Sequence, residues 1–187
     1  VWLNRSVKKP EAWIRTTGCS GGETSFENKP AHRRSKFHRN GFLLPAENVG
    51  RMIHQLSDAQ DLYRVSGGIH TSAISDGDRI IIATEDIGRH NTLDKLAGHC
   101  LLDHISPAVK IILTTGRVSS EMIQKAGRMK SSIVISRTSP SSLSVQMADE
   151  LGITLIGYAR LDRFTIYTHP ERIASVQVGE IKSSEAA

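Results

Sequence analysis

Three short apolar runs, KIILTT at 110–115, SIVIS at 132–136 and ITLIG at 153–157, alternate with two stretches of helical pattern. This β-α-β-α-β order constrains the fold more than any other feature of the chain. A strand with one wet face alternates apolar and polar residues. These runs are apolar at consecutive positions instead, which suits a parallel sheet covered by helices on both faces. Ahead of them, GIHTSAI and RIIIAT read as two strands joined by the turn Ser75-Asp76-Gly77-Asp78, so antiparallel strands flank the parallel ones and the sheet is mixed. A helix opened by Pro45 places Val49, Met52, Ile53 and Leu56 at the i, i+3, i+4, i+7 spacing. Further helices are expected over about 91–104, about 119–129, and from Ser139-Pro140 to near Gly152. A last strand, RFTIYT, leads into a polar tail. The expected division is 1–44 as the end of an N-terminal portion with a cysteine-bearing and basic loop, 45–175 as the α/β domain, and 176–187 as the tail.

A chain of 187 residues can bury a proper core, and 39% hydrophobic with 23% charged residues describes a soluble globular protein. No apolar run approaches the roughly 20 residues of a membrane span. The start, VWLNRSVKKPEAW, has no continuous apolar stretch after its charges and does not read as a signal peptide. Two cysteines do not make a disulfide framework, so a reducing cytoplasm is inferred. Cys100 shares a helical face with Leu96 and reads as a buried small apolar residue. The net charge of +5 points to an anionic partner, but the excess is local: Lys29, Arg33, Arg34, Lys36 and Arg39 fall in a segment without acidic residues. That segment reads either as a solvated loop or as a patch that steers phosphates or nucleic acid. No nucleic-acid motif accompanies it and only Phe37 interleaves an aromatic ring, so a nucleic-acid partner is not expected.

Ligands of such sheets collect where strand ends meet helix starts. Three of those junctions are unusually polar. TEDIGRHNTLDK crowds Glu85, Asp86, Arg89, His90 and Asn91 into one turn. TTGRVSSEM offers Gly116, Arg117 and Ser119, and SRTSPSS offers Arg137 with several hydroxyls. Each residue alone also serves as a helix cap. The convergence of an arginine with glycine or hydroxyl partners at all three makes them plausible phosphate cradles at helix N-termini. Neither GxxxxGK[ST] nor GxGxxG occurs. His70, after a Gly-Gly turn, can act as a general base or hydrogen-bond donor, and His90 at a helix start is expected neutral. No HxE and no CxxC supplies zinc ligands, and no GxSxG elbow supports a serine hydrolase. In RTTGCSGGE, Cys19 sits among glycines near Arg15, a setting that favours the nucleophilic thiolate; a loop cysteine without a role fits the same residues.

Taken together, TTGCSGG, SGGIHTSA, ATEDIGRHNTLDKLAG, LTTGRVSSEMIQKA, SRTSPSSLSV and LIGYARLDRFTIYTHPERI resemble, in order from Arg15 to Ile173, the formate dehydrogenase accessory sulfurtransferase family, FdhD. The resemblance implies a three-layer α/β/α sandwich of cytidine-deaminase type without zinc, a homodimer, and an N-terminal β-rich portion that is largely missing here. It implies a cytoplasmic sulfur transfer in which a cysteine desulfurase loads a persulfide on Cys19. That sulfur passes to the molybdenum cofactor, bis(molybdopterin guanine dinucleotide), for the formate dehydrogenase catalytic subunit. Many members have CxxC at this place; here Gly22 stands three residues after Cys19, which leaves a one-thiol carrier and no resolving thiol in the loop. The family's cofactor-binding stretch corresponds to Phe164, Thr165, Ile166, Tyr167, Thr168 and His169, whose rings would stack on guanine; as sequence alone it is an ordinary alternating strand. Arg117, Arg137, His70, Arg89 and His90 would join it around the phosphates, with GDP as a fragment ligand. The alternative is a guanine-dinucleotide-binding protein whose cysteine is inert.

Overall fold

The structure is a computed structural model of the chain that describes residues 13–15, 23–25, 42–105 and 110–174. Cys19, the basic stretch 29–39 and the tail 176–187 lie outside the described residues. The chain divides into two compact units, 1–34 and 35–187. In the first, β1 (Trp13–Arg15) pairs antiparallel with β2 (Glu23–Ser25).

In the second unit the chain order is β3 (Leu44–Pro45), α1 (Ala46–Asp58), α2 (Asp61–Ser66), β4 (His70–Ser75), β5 (Ile80–Asp86), α3 (Arg89–Leu102), β6 (Ile111–Thr114), α4 (Ser120–Arg128), β7 (Ile133–Ser136), α5 (Ser142–Leu151), β8 (Thr154–Gly157), β9 (Thr165–Ile166) and β10 (Ile173–Ala174). Six of these strands form one sheet in the order β5-β4-β6-β7-β8-β9. The strands β6, β7 and β8 run parallel, as their apolar runs require. The hairpin β4–β5 joins β6 antiparallel, and β9 closes the other edge antiparallel to β8.

Both faces of the sheet are covered, and the strand residues divide between them one by one. Ile111, Leu113, Ile133, Ile135 and Ile156 pack with Val49, Met52, Ile53 and Leu56 of α1. Their neighbours Ile112, Val134 and Leu155 point the other way, onto Leu93 of α3, Met122, Ile123 and Ala126 of α4, and Ala148 of α5. This two-sided burial explains the consecutive apolar positions and makes the domain a mixed α/β structure in three layers. The four α1 side chains are at most 5% exposed, and burial of each stabilises the fold by about 1.5–3 kcal/mol.

The structure departs from the sequence expectation in several places. α2 was not anticipated, because none of its six residues is buried and it carries no apolar stripe. RFTIYT is strand only at Thr165 and Ile166, followed by one more backbone bond from Tyr167 N–H to Leu155 O at 2.8 Å, since the chain then turns into a 3-10 helix, Pro170–Arg172. β3 and β10 form a separate parallel pair, Leu44 opposite Ile173. Cys100 is half-buried rather than buried: the helix end that carries it leaves Leu101 and Leu102 in solvent.

Candidate functional site

The parallel strands all end at one edge of the sheet. There Thr115 N–H donates to Thr71 O at 3.0 Å, and Arg137 N–H donates to Thr114 O at 3.1 Å. This interlocking brings the turn after β6, the turn after β7 and the start of β4 side by side. Buried Ser136 fixes two of them. Its Oγ donates to Gly116 O at 2.8 Å and accepts from the Thr138 N–H at 3.0 Å. Below lies a second hydroxyl set, in which Ser72 Oγ donates to Thr114 Oγ1 at 3.0 Å and lies 2.6 Å from Thr92 Oγ1. The Gly116 backbone must pass close to α3, since a Cβ there would come within 2.8 Å of the Arg89 Cβ.

A cleft of about 400 Å³ opens at this edge, walled by Gln60, Tyr63, Gly67 and Gly68 on one side and by His70, Thr115, Arg137, Thr138 and Arg160 on the other. Its charge is one-sided. Arg137 Nη1 donates to Ser57 Oγ and Gln60 Oε1, both at 3.4 Å. Arg160 Nη1 donates to the carbonyl oxygens of Arg137 at 2.5 Å and Ala159 at 2.9 Å. Every one of these acceptors is neutral, so two guanidinium charges stand at the cleft without a counter-ion among the described residues. Burial pushes the His70 imidazole below its usual pKa, and Arg89 and Arg117 push it further, so it is neutral at pH 7. Such a site favours an anion with several oxygens, such as a phosphate chain.

The structure brings His70 and Arg137 into the cleft wall and Arg89 and Arg117 within electrostatic reach of His70. His90 faces α4 instead. Its Nε2 lies 2.9 Å from Ser119 Oγ and 3.4 Å from Glu121 Oε2, and its pKa is lowered by burial and by Arg89. Both partners meet the same ring nitrogen, so this is no Ser-His-acid relay, which needs one partner on each nitrogen. Among the described residues no group of three His, Cys, Asp or Glu side chains gathers to hold a metal ion.

The stretch from Phe164 to His169 runs along β8 from the cleft edge to the opposite edge. Phe164 and Ile166 pack on the α1-side core, and Thr165 lies exposed opposite Gly157. Tyr167 lies against Gly157, where a Cβ would meet its ring at 2.9 Å and Pro140 at 3.0 Å. Thr168 is buried, donating to Ile153 O at 2.7 Å and accepting from Leu155 N–H at 2.9 Å. His169 contacts Asp149 and Glu171 at the far edge. None of the six is among the residues that line the cleft.

Of the acidic pair of TEDIGRHN, Glu85 organises the wall and Asp86 the turn into α3. Glu85 accepts the backbone N–H groups of Leu62 at 2.8 Å and Tyr63 at 3.2 Å, and so holds the start of α2. Asp86 accepts from Gly88 N–H and Asn91 Nδ2 and pairs with Lys95 Nζ at 2.7 Å, contacts that hold its pKa down to about 2. Residues the sequence reading missed are Arg160, Gln60 and Tyr63. Arg160 follows a strand with no helix after it, outside the junction rule, although it lies within the quoted YARLDR; the other two depend on α2.

An α/β domain with an anion-ready cleft at the ends of its parallel strands is the class that fold and site define. Residues 2–174 match the FdhD/NarQ family model, and the chain belongs to that family. It is 45% identical over 122 residues to the sulfur carrier protein FdhD of Bacillus subtilis (strain 168), covering 65% of this chain and 47% of that one. It is 39% identical over 155 residues to the sulfur carrier protein FdhD of Bacillus licheniformis, covering 83% and 59%. The crystal structure of a provisionally assigned formate dehydrogenase accessory protein from Desulfotalea psychrophila superposes with a TM-score of 0.67 at 34% identity, over 71% of this chain and 60% of that one. The chain thus spans about half to three fifths of the relatives it matches.

Proposed function

We propose that this protein is a sulfur carrier that serves formate dehydrogenase. In this reading a cysteine desulfurase presents a persulfide, and the Cys19 thiolate attacks its terminal sulfur. The new S–S bond leaves a persulfide on Cys19 and a thiolate on the donor, with no net oxidation. The outer sulfur then passes to the cargo, bis(molybdopterin guanine dinucleotide), whose phosphates occupy the cleft of Arg137 and Arg160: the S–S bond breaks, Cys19 leaves as the thiolate, and a two-electron reductant, for which the reduced metal centre of the cargo would serve, brings the transferred atom to the sulfide level. The observation that carries the reading is this pair of arginines, bound among the described residues only by neutral oxygens. Membership of a family whose relatives are named sulfur carriers supplies the thiol half. The sheet order, a hairpin followed by three parallel strands, supports kinship with the cytidine-deaminase type of sandwich. The same reading makes the protein a cytoplasmic homodimer, which light scattering of the purified chain checks.

The test is incubation with a cysteine desulfurase and cysteine, followed by mass spectrometry of the Cys19 peptide. Wild type should gain the mass of one sulfur atom, Cys19→Ser should gain none, and Cys100→Ala should behave as wild type. A wild-type Cys19 peptide that gains no sulfur would leave the alternative, a guanine-dinucleotide-binding protein without thiol chemistry.

A further inference from the structure

The guanidinium of Arg137 is approached by two oxygens, Ser57 Oγ and Gln60 Oε1, and neither carries charge. Some other cations of this domain meet carboxylates: Arg64 pairs with Asp61 at 2.7 Å, Arg51 with Asp78 at 3.0 Å and Lys95 with Asp86 at 2.7 Å. Gln60 is only 5% exposed and occupies the link between α1 and α2. Its carbonyl accepts the Arg64 N–H at 3.1 Å and its own N–H donates to Ser57 O at 3.3 Å, so the backbone that carries the amide is tied at both groups. A buried side-chain amide normally satisfies backbone groups nearby. This one turns its oxygen to a cation across the cleft.

We propose that Gln60 is a positioning residue: it steers the Arg137 guanidinium over the cleft while leaving its charge uncompensated for an anionic ligand. The inference rests on the anion reading of the cleft given above. An amide oxygen orients a guanidinium through its dipole but does not neutralise it. A carboxylate at the same place would form an ion pair with Arg137, and the ligand would then have to compete with a fixed internal anion. The residue therefore sets the affinity of the site through its lack of charge, without needing to touch the ligand.

The test measures pyrophosphate binding by calorimetry, together with melting temperature, for the whole chain. Gln60→Glu should weaken pyrophosphate by about tenfold or more, because Arg137 becomes internally paired, with an unchanged or raised melting temperature. Gln60→Ala should lose less, about two- to fivefold, since the charge survives and only its aim is relaxed. Gln60→Glu with wild-type affinity, or equal losses in the two variants, would overturn the proposal, the second because packing alone would then explain the effect. Should Gln60→Glu not fold, Ser57→Asp places a carboxylate beside the same guanidinium nitrogen from the end of α1. A folded Ser57→Asp with full affinity overturns the proposal, and one with a similar loss supports it. Absence of pyrophosphate binding in wild type, by contrast, would sink the anion reading of the cleft and this inference with it.

Discussion

The turn after β5 and the turns after β7 and β8 are all polar in sequence, yet they use their charges in opposite ways. In the first, Glu85 and Asp86 are taken up by backbone N–H groups and by Lys95, and His90 by Ser119 and Glu121. In the others, Arg137 and Arg160 are held, among the described residues, only by neutral oxygens. A charge satisfied inside the fold builds the wall of the cleft; a charge left without a counter-ion is available to a ligand. The comparison teaches that the most distinctive motif of a chain need not supply the groups that touch its ligand. Here EDIGRHNTLDK places the wall, and two less conspicuous arginines face into the space it encloses.

The largest effect that would sharpen this contrast belongs to the arginines. Arg137→Ala should weaken pyrophosphate by about ten- to a hundredfold, the loss of a charged hydrogen bond, and Arg160→Ala should act in the same direction. Arg137→Ala should hardly lower the melting temperature, because it gives up contacts of 3.4 Å, whereas Arg160→Ala gives up a charged donor to two carbonyl oxygens at 2.5 and 2.9 Å and should lower it somewhat. Equal affinity in wild type and both variants, read by calorimetry, would break the comparison on its functional side. The next effect is the converse. Asp86→Ala should cost about 1 kcal/mol of stability through the lost N–H and lysine contacts and should change affinity little in the folded protein. Because the Asp86 carboxyl is held down to about 2 in the folded chain, its contribution is complete above its ordinary value near 4 and is lost as pH falls toward 2. Chemical denaturation of both proteins at pH 7 and near pH 2 should show their difference shrinking in acid.

What the sequence disclosed follows from how many residues each feature commits. The parallel strands were legible because burial on both faces leaves continuous apolar runs, and α1 because Val49, Met52, Ile53 and Leu56 repeat at helical spacing. α2 was not, since a short helix held at its start by Glu85 and burying nothing has no pattern to read. With α2 went Gln60 and Tyr63, two residues of the cleft wall. His70 and Arg137 were legible as polar residues at strand ends. The pairing of β3 with β10 joins residues near opposite ends of the domain, and no local spacing encodes it. The interlocking of the β6 and β7 turns through Ser136 belongs to the same class: its two partners are chosen by the register of the sheet.

The smallest expected effect concerns His70, which lies between the two kinds of residue, in the wall and lining the cleft. In the free protein its pKa is lowered by burial first, then by Arg89 and Arg117. The folded chain therefore binds that proton less readily than the unfolded one. Stability from this group is complete above the ordinary value near 6.5 and declines as pH falls through it toward the lower folded value. A bound anion changes the sign of the local field: it offsets the two arginines, favours the imidazolium, and makes binding take up a proton. Affinity for pyrophosphate should then rise as pH drops from 8 toward 5.5, by about threefold beyond whatever the ligand's own titration produces. His70→Gln keeps the polarity of the wall and removes the proton, so comparing the two proteins at each pH cancels the ligand's contribution. The ratio of their affinities should favour wild type increasingly in acid, and calorimetry in buffers of different ionisation enthalpy should show proton uptake in wild type only. A ratio that stays constant across this range would place His70 with Glu85, among the residues that build the cleft without sensing what fills it.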